Sequence, residues 1–299
     1  MTDDQGNRGH SQYGKLQHAA REAGRNTQEF LVIYAMEGFL ERLALSDHRD
    51  NLVLKGGMLL ARFDARRPTR DIDIHSDSLS NDLATIADVV SDILRIDASD
   101  GLQFDLADLR AETIRDEDEY SGVRVAVGCS LHTAQIRLTV DVNVGDAVWP
   151  EPELIRLPRL LGGQLPPING YPLSMVFAEK LVTAAQRGTA NTRWRDFADV
   201  YLLTGQQPLD SDEARKAIRT VAESRSFALP LLSEVLRGYA ELAQARWTAW
   251  RSRQELEDRL PASFAEVLAL VIAFADPLFG SQMEQSDWDP GERRWVVSP

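Results

Sequence analysis

The sequence predicts an α/β protein in two parts: a sheet with flanking helices over 26–150 and an all-α C-terminal domain over 151–299, preceded by a polar segment, 1–25. Three observations predict it. Short alternating runs, Asp71-Ile72-Asp73-Ile74 and Ile136 to Val144 (IRLTVDVNV), lie between amphipathic helical stretches. A Pro/Gly-rich connector, Leu157 to Pro172, marks a change of character, with the boundary placed near residue 150. Beyond it the apolar residues recur at helical spacing.

Asn26 or Thr27 is a suitable N-cap for a helix carrying Phe30, Ile33, Tyr34, Phe39, Leu40 and Leu43, which stops near Ser46-Asp47. Asn51 to Leu54 reads as a short buried strand. Gly56-Gly57 makes a turn that lets backbone approach a ligand, and Met58 to Phe63 starts a helix whose N-terminal amides could face phosphate. Asp71 to Ile74 is the next strand, and Leu83 to Leu94 is an amphipathic helix. Asp116 to Glu119 reads as an exposed connection. Val123, Val125 and Val127 alternate as a strand with Ile136 to Val144 as its antiparallel neighbour.

In the second part, Ser174 to Arg187 is a helix with Phe177, Leu181 and Ala185 inward, and Trp194 to Leu203 another with Phe197, Val200 and Tyr201 as its stripe. Leu229 to Arg251 is read as one helix whose aromatic residues form core. Phe264 to Phe274 follows a Ser263/Glu266 capping box. Gly280 to Pro299 lacks periodicity and reads as a loosely docked tail.

Side chains alternate along a strand, so Asp71 and Asp73 share a face while Ile72 and Ile74 take the other. Asp141 lies on the corresponding face of the later run. If these strands pair, three carboxylates converge beside the Gly-Gly turn, and holding Mg²⁺ (or Mn²⁺) against phosphate oxygens is a use that offsets their repulsion. Asp71, Asp73 and Asp141 are therefore the expected metal ligands.

Composition limits what such a site serves. The chain of 299 residues is 43% hydrophobic and 26% charged, which fits a folded protein with a large core. No run approaches the roughly 20 apolar residues of a membrane span, and the N-terminus lacks an apolar signal core. The expectation is a cytoplasmic protein with no membrane partner. Cys129 is the only cysteine, which excludes an internal disulfide and a multi-cysteine zinc site. A net charge of −13 argues against general adhesion to nucleic acid, but arginine groups Arg62, Arg66, Arg67, Arg70 and Arg187, Arg193, Arg195 are candidate anion guides. The only lysines are Lys15, Lys55, Lys180 and Lys216. Lys55 and Lys180 fall in the suspected site segments, and a lysine is a compact point charge suited to phosphate.

Asn51 to Ile74 (NLVLKGGMLLARFDARRPTRDIDI) resembles the first motif of the AbiEii/MenT-type nucleotidyltransferase toxins, members of the polymerase-β-like superfamily. Ala178 to Leu203 (AEKLVTAAQRGTANTRWRDFADVYLL) resembles their second hallmark, Glu-Lys-Leu followed by Arg-Asp-x-x-Asp. The resemblance implies a polymerase-β-like sheet and transfer of a nucleotide from an NTP to RNA, most plainly the acceptor end of tRNA, by a toxin paired with a cognate antitoxin. It implies that Asp71 and Asp73 hold Mg²⁺ against the triphosphate and that Asp141 helps to activate the acceptor hydroxyl. Gly56 and Gly57 cradle phosphate, Lys180 neutralises charge, and Asp196 belongs to the essential motif. Asp199 is read as an orienting or structural residue, with an i,i+4 pair to Arg195 as the alternative. Thr69, two residues before Asp71, is a position where added phosphate would repel a triphosphate. Transfer to a protein or small molecule, or an inactive binding module, are the alternatives.

Overall fold

The computed structural model describes residues 2–65, 67–115, 121–145, 147–280 and 283–298. Arg66 and the Asp116 to Glu119 segment lie outside the described residues. The chain divides into two compact units. One comprises Met1–Arg62, Arg66–Asp146 and Glu153–Gly170, and the other Phe63–Ala65, Ala147–Pro152 and Tyr171–Pro299.

The first unit opens with α1 (Thr2–Glu22) and α2 (Thr27–Leu45). The polar start of the chain is thus helical, with Leu16 and Ala20 one turn apart and fully buried. Asn26 caps α2 by accepting from the Gln28 amide. There follow β1 (Val53–Lys55), a single turn α3 (Gly56–Leu59), β2 (Ile72–Ser76), α4 (Leu83–Leu94), β3 (Leu102–Arg115), β4 (Ser121–Leu131), β5 (Ala134–Val144), β6 (Glu153–Ile155) and β7 (Ile168–Gly170). The expected helix after the Gly-Gly turn is only α3 and a 3-10 turn, Leu60–Phe63, so it offers no long helix dipole.

The strands form a seven-stranded mixed sheet in the order β3-β4-β5-β2-β1-β7-β6. β4 and β5 pair antiparallel, β5 and β2 parallel, β2 and β1 antiparallel, and β1 and β7 parallel. Val123, Val125, Val127 and Cys129 of β4 are buried, as are Ile136, Leu138, Val140 and Val142 of β5 and Ile72 and Ile74 of β2. α1 and α2 contribute Leu16, Phe30, Leu31 and Tyr34 to the core around Cys129, Leu131 and Ile136. The opposite face of the sheet therefore carries the polar residues of these strands.

The buried Arg42 of α2 ties this layer to the loop before β3. It donates to both oxygens of Asp100 (2.5 and 3.0 Å) and to the Gly38 and Ile96 carbonyls. Asp100 also accepts from the Leu102 amide, and its carbonyl from the Tyr34 hydroxyl.

The second unit contains α5 (Leu173–Arg187), α6 (Trp194–Thr204), β8 (Leu209–Asp210), α7 (Ser211–Ser224), α8 (Leu232–Val235), α9 (Tyr239–Arg253), α10 (Phe264–Phe279), β9 (Ser286–Asp289) and β10 (Arg294–Val297). The expectation of an all-α region is thus corrected, because β8, β9 and β10 form a three-stranded sheet. Nor is the C-terminal segment a loose tail. Trp288 is 2% exposed, donates to the Thr204 carbonyl at 2.7 Å and meets Phe274 edge-on. These strands are too short to show a period, and a two-stranded hairpin needs a packed face to persist.

The single helix expected over Leu229 to Arg251 is broken at Gly238, whose φ of 76° is left-handed, so α8 and α9 are separate. The capping box at Ser263 is not formed. Gln244 Oε1 accepts from the Phe264 amide instead. The aromatic stripe is core: Tyr239, Trp247 and Phe264 are buried and in ring contact with one another or with Trp194 and Phe197. The connector region also contains β7, which belongs to the first unit's sheet and not to the helical part.

Candidate active site

In the first unit the candidate residues stand on one rung of the sheet. Lys55 is the register partner of Asp73, Asp73 of Asp141, Asp141 of Arg124, and Arg124 of Glu112. Directly opposed residues share a face, so five strands present a row of charge in the order Glu112, Arg124, Asp141, Asp73, Lys55. The predicted shared face of Asp73 and Asp141 follows from this register, and Asp71 lies just before β2.

The carboxylates on that face do not converge. A Cβ built on Gly56 would stand 1.8 Å from Asp73 Oδ2, so the Asp73 carboxylate lies directly against the Gly56 backbone, toward β1. Gly56 has φ 66°, a left-handed conformation that a side chain would also oppose. Asp141 is drawn the other way. Arg124 Nε donates to its Oδ1 at 2.8 Å and Nη2 to its Oδ2 at 2.6 Å, a bidentate fork. Asp71 accepts at Oδ1 from the Thr69 hydroxyl at 3.1 Å. Among the described residues no group of three or more His, Cys, Asp or Glu side chains is gathered to hold a metal. The expected three-carboxylate cluster is thus not gathered among the described residues, and Asp141 is clamped by Arg124 instead.

The neighbours of the Gly-Gly turn are tightly fitted. A Cβ on Gly57 would lie 2.5 Å from Thr69 Oγ1, which places the backbone of the turn against the segment leading into Asp71. Arg67 is buried and donates to the Pro68 carbonyl, whereas Arg62 and Arg70 are exposed, so these arginines do not form one surface strip. Cys129 is buried, and burial pushes its thiol up to about 12, which removes it as a nucleophile near neutral pH.

In the second unit, α5 and α6 bring together Lys180, Asp196 and Asp199. Lys180 Nζ donates to Asp196 Oδ1 at 2.9 Å and to Asp199 Oδ2 at 2.7 Å. Burial alone would raise the Asp196 carboxyl, but Lys180, then Arg193 and Arg195, outweigh it and hold it below the usual range. The turn between the helices is fixed by the buried Asn191, whose side chain accepts from the Arg193 amide at 2.7 Å and whose carbonyl accepts from the Tyr239 hydroxyl. Arg193 is half-buried and Arg195 exposed.

One neighbour of the candidate site was not read from the sequence. Arg124 drew no attention among the valines of β4. Its signal was its place on the polar face, across from Asp141 once the hairpin is registered. Asp199, read as an orienting or structural residue with a pair to Arg195 as the alternative, is fully buried and accepts from Lys180.

The model of one family matches residues 38–270, described as nucleotidyl transferase AbiEii toxin of a type IV toxin–antitoxin system. The chain belongs to the AbiEii family. It is thus a nucleotidyltransferase toxin, an enzyme class that uses a nucleoside triphosphate and is paired with an antitoxin. Two solved structures from Helicobacter pylori are similar to this AbiEii chain. JHP933 shares 13% identity with a TM-score of 0.48, covering 83% of this chain and 92% of its own. A second, described as a candidate nucleotidyltransferase, shares 14% identity with a TM-score of 0.47, covering 83% and 95%. A comparison with curated proteins finds no match. No helix among the described residues is long and apolar enough to cross a membrane.

Proposed function

We propose that this toxin transfers a nucleotide from an NTP to RNA, at the 3′ acceptor end of tRNA, and so blocks translation in the cytoplasm until its antitoxin intervenes. The observation that carries the reading is the seating of Asp73 against Gly56, with Asp141 as its register partner on the same polar face. We read the first unit as a polymerase-β-like nucleotidyltransferase sheet.

Hard carboxylate oxygens on Asp71 and Asp73 fit Mg²⁺, which is commonly held by one or two carboxylates plus substrate phosphates. Bound there, Mg²⁺ would supply positive charge against the triphosphate. The Gly56-Gly57 turn would accept a phosphate close to its backbone, since no Cβ intervenes. Lys55, one strand from Asp73, would offset the carboxylate charge that substrate binding must overcome. The family resemblance adds Lys180 and Asp196 to the residues that transfer requires, with Lys180 as the phosphate-directed cation and Arg193 as a further anion-binding group. Asp199 would then fix the Lys180 ammonium. Within this reading the catalytic contribution is positioning and charge stabilisation, as in other phosphoryl and nucleotidyl transfers.

The test is incubation of the purified protein with Mg²⁺, total tRNA and each α-³²P-labelled NTP in turn, alongside Asp71→Ala and Lys180→Ala. Label on tRNA with the native protein and none with either variant is the expected result, and it names the preferred base. Label on a protein or small molecule would replace the acceptor. No incorporation with any NTP, metal and RNA combination would leave the chain as a binding module.

A further inference from the structure

The turn between α5 and α6 carries more positive charge than the reaction above uses. Asn191 fixes its backbone: the Asn191 amide donates to the Gly188 carbonyl at 3.2 Å, its Oδ1 accepts from the Arg193 amide at 2.7 Å, and its carbonyl accepts from the Tyr239 hydroxyl. Two further elements close on the same turn. A Cβ on Gly188 would stand 3.4 Å from the Val235 carbonyl oxygen at the end of α8. The Trp194 ring, which opens α6, stacks on Tyr239, the first residue of α9, with centroids 6.0 Å apart.

These contacts set arginines from separate stretches of chain around one turn. Arg187 and Arg193 flank it and are half-buried, whereas Arg195 in α6, Arg237 between α8 and α9, and Arg246 on α9 are exposed. Arg237 lies two residues beyond Val235, and the charge of Arg246 acts on the Tyr239 hydroxyl. Arg193 and Arg195 act in turn on Asp196, so the patch borders the Lys180, Asp196 and Asp199 cluster. The exposed acids on α8 and α9 are Glu234 and Glu241. Among the described residues, Arg195, Arg237 and Arg246 are in no salt bridge. Their charge is therefore not consumed by carboxylates of this chain.

A net charge of −13 repels a polyanion from the surface at large, so one can settle only where positive charge is gathered locally. Exposed guanidinium groups on separate elements suit successive phosphates along a strand, whereas a single triphosphate calls for convergence on one point. We infer that the α5–α6 turn, with Arg195, Arg237 and Arg246 at its surface, is where the phosphodiester backbone of the RNA acceptor docks. The inference rests on the RNA-transfer reading above and gives it a surface. Contacts of this kind position the acceptor without reading its sequence.

The experiment follows the fluorescence anisotropy of dye-labelled total tRNA as the full chain is added, at KCl concentrations from about 50 to 200 mM. The proteins are native, Arg237→Gln, Arg246→Gln, the double variant, Arg246→Lys and Arg294→Gln. Arg294 on β10 is the control, because its neighbour Arg293 stands beside Gly205, at the other end of α6 from Arg195. Arg237→Gln and Arg246→Gln should each weaken binding about fivefold at about 0.1 M salt and lower the slope of log affinity against log salt by about 0.7, the value for one phosphate contact on a single strand. The double variant should lose about twice that slope, and Arg246→Lys, which keeps the charge, should retain it. In the transfer assay the KM for tRNA should rise in the double variant while kcat and the KM for NTP stay native. Native affinity and salt slope in the double variant would overturn the inference, as would an equal loss in Arg294→Gln. A raised KM for NTP with unchanged tRNA affinity would assign the patch to the nucleotide and overturn it too. A native chain that neither binds tRNA at any of these salt concentrations nor labels RNA would instead sink the reading on which it rests.

Discussion

Lys180 Nζ sits 2.7 Å from Asp199 Oδ2, and the Asp199 side chain is fully buried. A second carboxylate, Asp196, accepts from the same ammonium at 2.9 Å. One lysine thus balances two acids across α5 and α6, and a substitution there acts on stability.

Replacing Lys180 by Met should destabilise the protein by about 3–5 kcal/mol, the usual cost of leaving a buried charge without its partner. The Lys180→Met/Asp199→Asn variant should recover part of that loss without recovering nucleotide transfer. Urea unfolding of both, read beside the transfer assay, checks it. Equal stability of Lys180→Met and native protein would show that the pair contributes nothing net.

Asp196 predicts an acid limb. Its folded carboxyl titrates below its ordinary value, so its contribution is fully present above the unfolded pKa of about 3.9 and is lost as pH falls through the folded value. Asp196→Asn should therefore flatten the decline in stability below about pH 4. In Lys180→Met the main cation is gone and burial raises the carboxyl, so Asp196 should titrate higher. Carboxyl-carbon NMR titration of the two proteins would show the direction.

Gly56→Ala should abolish transfer. Its Cβ would stand 1.8 Å from Asp73 Oδ2, and its φ of 66° strains any side chain, so the carboxylate must move. The variant should keep its helical circular dichroism but lose Mn²⁺ binding in proportion to activity. Native activity in Gly56→Ala would refute the seating of Asp73 on this turn.

Asp100→Ala should cost about 3–5 kcal/mol, because it strands the buried Arg42 and frees the Leu102 amide. Thermal unfolding reads this directly, and transfer by the folded fraction should be unchanged.

Trp288→Ala should cost about 3–5 kcal/mol, as large aromatic truncations in packed cores do. It removes the hydrogen bond to Thr204 and the edge contact with Phe274. A loss near zero in guanidinium unfolding would restore the picture of a loose C-terminal tail.

Much of the helical organisation was legible because the apolar spacing is long and regular. α4 runs from Leu83 to Leu94 as predicted, and α6 begins at Trp194 as predicted. The pairing of Val123, Val125 and Val127 with the Ile136 to Val144 run was legible from alternation alone. By contrast, β7 pairs in parallel with β1 from a distant part of the chain, and β9 and β10 span only a few residues each. A short strand carries too little pattern to be told from a loop.

The sequence by itself determined which carboxylates share a face, because alternation in a strand is a property of the backbone. It also placed Lys180 and Asp196 in one motif, and it marked the Gly-Gly turn beside Asp73. Where those side chains turn was decided only by the tertiary structure. Asp73 rests on Gly56 and Asp141 is held by Arg124, although both leave the same rung. The direction depends on the residue across the neighbouring strand, a contact between positions far apart in the chain. Pairing across strands is set by register and packing, which no local pattern encodes.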